Sequence, residues 1–306
     1  MNRKKRLLAA VLILISLPAA VAAIDAASFY IHNRPNGSII SSDEQRDYLL
    51  YVPKSYDPSR PTPLVISMHG AGGWPVQQME LSGWNRLAER HRFIVVYPAG
   101  IKRAGPRVWR VGRSPGMMRD VWFIADLIRK VKEDYNIDTQ RIYANGISNG
   151  AGMSFALSCT LSDRIAAVGL VAGAQNLPWS ACTESKAVPM IAFHGTADSM
   201  TPYKGGDSWV APWPFPDVES WVEKWSRRNR CEPRPEESRV AGEVVRREYR
   251  NCAENAAVVL YRIDGGGHTW PGGQQLPEWF AGPTSRAIDA SALMWEFFEA
   301  HPLKGE

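Results

Sequence analysis

The most constraining feature of this 306-residue chain is a Gly-x-Ser-x-Gly pentapeptide that joins a strand-like run to a helix-like one. The apolar run RIYAN (141–145) precedes GISNG (146–150), and AGMSFAL (151–157) follows with small residues in its first turn. A serine on such a turn takes a strained backbone conformation, and the flanking glycines let strand and helix approach. The N–H of the next residue, Asn149, then faces the reacting oxygen. The pentapeptide therefore predicts that Ser148 is a nucleophile.

A second pentapeptide of the same form, GRSPG (112–116), is an internal control for this interpretation. Pro115 has no N–H, so it cannot supply the oxyanion donor that is expected from the residue after a nucleophile. No strand-like run leads directly into Ser114 either. We therefore predict that this second pentapeptide lies in a loop and has no catalytic role.

The acid of a catalytic triad is predicted from its place in the chain. A serine needs a neighbouring base, the base needs an orienting acid, and hydrolases with this turn have the chain order Ser, Asp or Glu, His. Asp198 follows the apolar run VPMIAFHG (188–195), which places it at the carboxyl edge of a parallel sheet. We predict Asp198 as the acid, with Asp207 and Asp217 further into the same loop as alternatives.

The base is predicted by the same order. The run VVLYRI (258–263) leads into three glycines and His268, whose glycine-rich loop lets an imidazole reach over the sheet. Two other histidines stand before a glycine at a strand end, where we expect them to brace turns, and the remaining three lie in surface-like or tail contexts: His69, His194, His32, His91 and His301. The predicted triad is therefore Ser148, Asp198 and His268.

The glycine-rich run HGAGG (69–73) after the strand-like PLVISM (63–68) predicts the other half of an oxyanion hole. Its backbone N–H groups can approach a tetrahedral oxygen without a side chain in the way. We predict Ala71 and Asn149 as the two donors, with Gly72 as the alternative to Ala71. The run lacks both the P-loop lysine and the G-x-G-x-x-G spacing, which argues against a nucleotide site.

Strand-like and helix-like runs alternate along the chain, which is typical of a mostly parallel sheet covered by helices on both faces. A chain of this length can form one domain, and we expect a single catalytic domain over 24–306. We also expect Asp120 to cap or start a helix. The predicted strands are 46–52, 63–68, 93–97, 141–145, 166–171, 188–193, 244–250 and 257–263, and the predicted helices are 77–90, 119–134, 149–160, 217–229 and 284–299.

These motifs, taken together, resemble those of a known family. The chain carries, in order, HGAGG (69–73), FIVVYP (93–98), DVWFI (120–124), GISNG (146–150), HGTAD (194–198) and GGGHTWPGG (265–273). The set resembles secreted esterases related to polyhydroxybutyrate depolymerases and to the feruloyl and acetylxylan esterases of the first carbohydrate esterase family. The resemblance covers roughly residues 37–301. It departs from the family at 201–217, a loop unusually rich in Trp and Pro.

The resemblance implies an α/β-hydrolase fold and hydrolysis of carboxylic esters, with Ser148, Asp198 and His268 as the triad and no cofactor or metal. Members of the family act on feruloyl or acetyl esters of polysaccharides or, alternatively, on polyhydroxybutyrate and other short polyester chains. We expect the former substrates here. A peptidase and an inert glycan-binding protein on the same fold are the less favoured alternatives.

Aromatic residues near the motifs are the candidates for a substrate pocket. An aromatic-walled cleft suits a hydroxycinnamoyl group, whereas tryptophans on helical faces, such as Trp225 and Trp295, are expected in the core. The pocket candidates follow the oxyanion run, the predicted base and the predicted acid, and are Trp74, Trp270, Trp209 and Trp213.

Residues 1–23 have the form of a secretory signal peptide: four basic residues at 3–6, an apolar stretch to Leu17, Pro18, and small residues up to Ala23. We expect cleavage near Ala23 and a secreted or periplasmic protein without a stable membrane anchor. The whole chain has a net charge of +5, but the leader holds four of these charges, so the mature chain is close to neutral. This balance argues against nucleic-acid binding.

Four cysteines in an exported chain predict two disulfides. Three pairings are possible, and we favour the sequential one, Cys159 with Cys182 and Cys231 with Cys252. Each bond closes a loop of about 20 residues, which stabilises the fold by roughly 3 kcal/mol in the chain-entropy description. No Cys/His spacing typical of zinc is present.

Overall fold

A computed structural model describes residues 34–102, 105–112, 114–182 and 186–304. The predicted signal peptide at 1–23 lies outside these residues. The strands are β1 Gly37–Ser41, β2 Glu44–Tyr51, β3 Thr62–Met68, β4 Ile94–Pro98, β5 Ile137–Ile147, β6 Ala167–Val171, β7 Met190–Gly195, β8 Gly206–Ser208, β9 Ala211–Phe215, β10 Glu236–Ala241, β11 Val244–Tyr249 and β12 Val258–Ile263. The helices are α1 Pro75–Ser82, α2 Trp84–His91, α3 Met117–Asp134, α4 Asn149–Thr160, α5 Val218–Arg228, α6 Glu278–Ala281 and α7 Ala290–Glu299.

Among the described residues, ten strands form one sheet in the order β1-β2-β4-β3-β5-β6-β7-β12-β11-β10. The six central strands, from β4 to β12 in this order, pair in parallel. The outer strands at both edges are antiparallel. The prediction of a mostly parallel sheet is thus confirmed. Neighbouring parallel strands have their carboxyl ends on the same side of the sheet. The loops after β3, β5, β7 and β12 therefore lie together at this carboxyl edge.

Hydrophobic clusters cover both faces of the sheet. Along β3, Leu64 and Ile66 belong to one cluster and Val65 to the other, because successive side chains of a strand point to opposite faces. Helices α3, α4 and α5 pack on the first face, and α2 and α7 pack on the second. Trp225 and Trp295 lie in these two clusters, as predicted for core residues.

Several elements differ from the sequence prediction. Helix 77–90 is two helices that meet at Gly83, whose φ of 66° ends α1 in the left-handed conformation. The last helix starts at Ala290 rather than 284, where Asp289 accepts a capping hydrogen bond from the N–H of Ala292. The prediction omitted β1, β10 and the small hairpin β8–β9, which carry few buried side chains and no apolar alternation.

Two disulfides cross-link the fold in the predicted pairing. Cys159 of α4 is bonded to Cys182, and Cys231, just after α5, is bonded to Cys252. The first bond ties the loop after β6 to the helix that follows Ser148. None of the helices in the described part of the chain is long and apolar enough to cross a membrane.

Candidate active site

Ser148 lies on the sharp turn between β5 and α4, in the conformation that the pentapeptide predicts. Its backbone has φ 56° and ψ −118°, an unfavourable combination for a residue with a side chain. A Cβ on Gly150 would lie 2.3 Å from the Met68 carbonyl oxygen, and one on Gly146 would lie 2.5 Å from the Gly150 carbonyl carbon. The two glycines therefore permit the close approach of strand and helix that holds Ser148 in this conformation.

Asp198 and His268 form a buried hydrogen-bonded pair. His268 Nδ1 lies 2.8 Å from Asp198 Oδ2, and the N–H groups of Met200 and Thr201 donate to Asp198 Oδ1. Burial disfavours the ionised carboxyl, but the hydrogen bond and charge of His268 outweigh it and lower the pKa of Asp198. With Nδ1 directed at this carboxylate, Nε2 of His268 is the nitrogen available to a nucleophile.

The sheet brings all three predicted triad residues to one edge. Ser148 follows β5, Asp198 follows β7 and His268 follows β12, and these strands lie within four neighbouring strands of the sheet. The N–H of His268 donates to the Ala281 carbonyl oxygen at 2.6 Å, so the last residue of α6 is hydrogen-bonded to the loop that carries His268. This arrangement can support nucleophilic attack assisted by a general base.

The two alternative acids have other places in the structure. Asp217 is the N-cap of α5, and its Oδ1 accepts a hydrogen bond from the N–H of Ser220 at 2.7 Å. Asp207 is exposed in β8 of the hairpin. The structure joins only Asp198, among these three aspartates, to His268 by a hydrogen bond.

The histidines before glycines brace turns, as the sequence suggested. His69 Nδ1 is 2.7 Å from the Gly70 carbonyl oxygen, and Nε2 accepts a hydrogen bond from the N–H of Gly100. Burial lowers the pKa of His69 to about 4. His194 is buried with Nε2 at 2.8 Å from the Thr201 carbonyl oxygen, and burial lowers its pKa as well. His32 lies outside the described residues.

The loop 70–73 forms a tight turn beside Ser148. The N–H of Gly73 donates to the Gly70 carbonyl oxygen, and Gly72 adopts φ 76°, which suits glycine at this position of a turn. A Cβ on Gly70 would lie 3.5 Å from Ser148 Cβ, so the loop and the serine are neighbours. The N–H of Gly72 already donates to the Arg107 carbonyl oxygen. This bond favours Ala71 over Gly72 as an oxyanion donor.

The predicted pocket residues have different surroundings. Trp270 is fully buried in the core and its indole N–H donates to Ser291 Oγ, so this residue is a core residue and the prediction of a pocket role was wrong. Trp74 is half-buried just before α1. Trp209 and Trp213 are 67% and 62% exposed on the β8–β9 hairpin.

Two further exposed aromatic residues, which no sequence motif predicts, lie near His268. Trp279 is 87% exposed and Phe280 is 45% exposed, both in the short helix α6 that holds the His268 loop. The rings of Trp209 and Phe280 lie 6.2 Å apart, and those of Trp279 and Phe280 lie 5.8 Å apart. We call Trp209, Trp279 and Phe280 the aromatic patch. The only sequence signal for the aromatic patch is that Trp279 and Phe280 are adjacent and follow closely after His268.

Two other sequence predictions concern residues 112–120. Ser114 is exposed in a turn, where its carbonyl oxygen accepts a hydrogen bond from the N–H of Met117, so the described part of the second pentapeptide lies in a loop as predicted. Asp120 lies in the first turn of α3, which begins at Met117, but Gly116 occupies the N-cap position, so Asp120 does not cap the helix. It is instead fully buried and paired with Arg46 at 2.6 Å.

Solved structures with a similar course of the chain identify the fold. An acetyl xylan esterase from Aspergillus awamori is similar with a TM-score of 0.63 and 15% identity, over 86% of this chain and 98% of that one. A ferulic acid esterase from Anaeromyces mucronatus, solved with ferulic acid, is similar with a TM-score of 0.53 and 16% identity, over 87% and 89% of the two chains. The chain therefore has the α/β-hydrolase fold.

Sequence comparisons identify a matching family and individual proteins that are similar to this chain. The family described as Esterase PHB depolymerase matches residues 46–191. Feruloyl esterase B of Piromyces equi is 28% identical over 73% of this chain but only 42% of its own length, so the chain spans less than half of that relative. Feruloyl esterase C of Emericella nidulans is 27% identical over 83% of this chain and 84% of its own. The chain is thus related to the polyhydroxybutyrate depolymerase-like and feruloyl esterases.

Proposed function

We propose that this protein is an exported carboxylic ester hydrolase in which Ser148, Asp198 and His268 form the catalytic triad. The observation that carries the proposal is the strained Ser148 on the same sheet edge as the hydrogen-bonded Asp198–His268 pair. The relationship to feruloyl esterases supports the reaction class. The predicted signal peptide and the two disulfides support export.

In the proposed reaction, Ser148 attacks the ester carbonyl while His268 Nε2 accepts the hydroxyl proton. Asp198 orients the imidazole through Nδ1 and stabilises its charged form. The backbone N–H groups of Asn149 and Ala71 stabilise the tetrahedral oxyanion, each by a factor on the order of 10²–10³ in rate. His268 then protonates the leaving alcohol. Water, deprotonated by His268, attacks the acyl-enzyme and releases the acid.

For the substrate, we propose a feruloyl or acetyl ester carried by a polysaccharide. The aromatic patch supports a feruloyl group, because α6 joins the patch to the loop of the base and exposed rings offer offset or edge contacts to another ring. The names of the relatives, feruloyl esterase B and feruloyl esterase C, point in the same direction.

The second candidate is a short polyester such as polyhydroxybutyrate. The description of the matching family, Esterase PHB depolymerase, favours it. Both candidates use the same triad and differ in the acyl group that the site accepts. Measurements of substrate preference, rather than of mechanism, therefore distinguish the two candidates.

Substrate preference is tested with methyl ferulate, 4-nitrophenyl acetate, 4-nitrophenyl butyrate and 3-hydroxybutyrate oligomers, using the mature protein and its Trp209→Ala variant. We expect the highest kcat/KM with methyl ferulate. Loss of one ring contact should lower the kcat/KM for ferulate roughly 3- to 10-fold in Trp209→Ala and leave the kcat/KM for the acetate ester unchanged.

The exposed Trp122 of α3 offers a matched control, and Trp122→Ala should change neither value. A preference for hydroxybutyrate oligomers would assign the protein to the polyester hydrolases. An equal loss of kcat/KM on acetate and ferulate in Trp209→Ala would show that the aromatic patch does not determine specificity.

A further inference from the structure

A short segment outside the triad, residues 107–110, contacts the loop that carries one proposed oxyanion donor. We call it the clamp segment. The carbonyl oxygen of Arg107 accepts a hydrogen bond from the N–H of Gly72 at 2.7 Å. The indole N–H of Trp109 donates to the carbonyl oxygen of His69 at 3.0 Å. The turn that presents the Ala71 N–H is therefore held from two sides.

The clamp segment also forms hydrogen bonds with Asn149, whose backbone N–H is the other proposed donor. The N–H of Trp109 donates to Asn149 Oδ1 at 2.6 Å, and Asn149 Nδ2 donates to the carbonyl oxygen of Trp109 at 3.2 Å. A pair of hydrogen bonds between one side-chain amide and the backbone N–H and C=O of one residue fixes both distance and orientation. Trp109 thus links the first residue of α4 to the loop after β3.

A buried carboxylate anchors the clamp segment to the rest of the fold. Asp120 Oδ2 accepts a hydrogen bond from the N–H of Arg110 at 2.7 Å, and Asp120 Oδ1 pairs with Arg46 Nη1 at 2.6 Å. The side chains of Asp120 and Arg46 are 0% and 1% exposed. A buried pair of this kind resists displacement, because separating it leaves an uncompensated charge away from water.

We propose that the clamp segment sets the separation and direction of the Ala71 and Asn149 N–H groups, with the side chains of Asn149 and Asp120 as positioning residues. The inference rests on the proposed function. Preorganised N–H groups stabilise the oxyanion because they need no rearrangement when its charge develops. A misplacement of either donor therefore raises the barrier to both acylation and deacylation, since both steps use the same oxyanion site.

The test is the Asn149→Ala variant, which keeps the backbone N–H but loses both bonds to Trp109. With 4-nitrophenyl acetate we expect kcat to fall about tenfold, less than for complete loss of a donor, and KM to stay the same, because the oxyanion is absent from the bound substrate and develops only during the reaction. The rate of fluorophosphonate labelling should fall by a similar factor. Trp109→Phe, which keeps the bonds to Asn149 but loses the indole donor, should give a smaller decrease in kcat.

The matched control is Asn229→Ala. Asn229 is also an asparagine that bridges backbone groups, through Nδ2 to the carbonyl oxygens of Val188 and Ala256, but it lies away from the clamp segment. The folded Asn229→Ala protein should keep the wild-type kcat even if its stability falls. An unchanged kcat in folded Asn149→Ala, or a change in KM alone, would overturn the clamp. It would leave the triad intact provided that the wild-type protein is active and Ser148→Ala is not.

Discussion

At the residue scale, the site depends on a serine in an unfavourable backbone conformation. Such a conformation costs about 1–3 kcal/mol and persists only where the surrounding structure enforces it. Here the enforcement comes from Gly146 and Gly150, at which any side chain would collide with backbone atoms. The cost is offset by packing, and the turn holds Ser148 at the end of β5.

His69, in the loop after β3, makes the free energy of unfolding depend on pH. Its pKa of about 4 lies below the ordinary 6.5, so the folded protein binds a proton there less readily than the unfolded chain. The stability that the neutral imidazole contributes is therefore full above about pH 6.5 and decreases as the pH falls towards 4. The total decrease is roughly 3 kcal/mol.

We expect His69→Gln to reduce the slope of unfolding free energy against pH by about 1.4 kcal/mol per pH unit between pH 4.5 and 6. The measurement is urea unfolding of both proteins across this range. Above pH 7 the two curves should run parallel, whatever their difference in absolute stability. Equal slopes below pH 6 would show that His69 is not a buried neutral histidine.

The sequence predicts residues whose signal is local and misses those whose partners are distant. Ser148, Asp198 and His268 each follow an apolar run, and chain order alone selects among the candidates. Asp120 lies in the predicted helix, but its buried pairing with Arg46 was missed because the two residues are 74 positions apart. Trp109 carries no local signal either, since its contacts with His69 and Asn149 form only when the loops meet at the sheet edge.

At the element scale, burial explains which strands the sequence predicts. The central strands β3, β4, β6 and β7 are buried along their whole length and read as continuous apolar runs. β10 is an exposed edge strand of polar residues, and β9 contains two prolines, so neither has a strand-like pattern. The hairpin β8–β9, which carries part of the aromatic patch, was for this reason described only as a Trp/Pro-rich loop.

The two disulfides should contribute equally to stability. They close loops with sequence separations of 23 and 21 residues, so the chain-entropy description gives each about 3 kcal/mol. Replacing Cys159 and Cys182 together by serine should lower the unfolding free energy by this amount, as should replacing Cys231 and Cys252. Denaturant unfolding of the two double variants measures both. A loss below about 1 kcal/mol for either pair would contradict the assignment of a stabilising role to that bond.

At the scale of the whole molecule, the proposed catalytic residues lie at the carboxyl edge of a sheet that helices cover on both faces. The loops after four parallel strands carry the proposed nucleophile, acid and base and one side of the proposed oxyanion hole. Helix α6 and the β8–β9 hairpin add the aromatic patch next to the base. Specificity can therefore change through these surface elements while the triad and its sheet stay the same.

The central claim is that Ser148 is the nucleophile, and covalent labelling tests it most directly. The mature protein, Ser148→Ala and Ser114→Ala are treated with a fluorophosphonate, and the adduct is located by peptide mass spectrometry while esterase activity is followed. We predict one adduct per chain, on Ser148, with loss of activity in parallel, none in folded Ser148→Ala, and wild-type behaviour in Ser114→Ala. An adduct on another serine, or ester hydrolysis that persists in Ser148→Ala, would contradict the account.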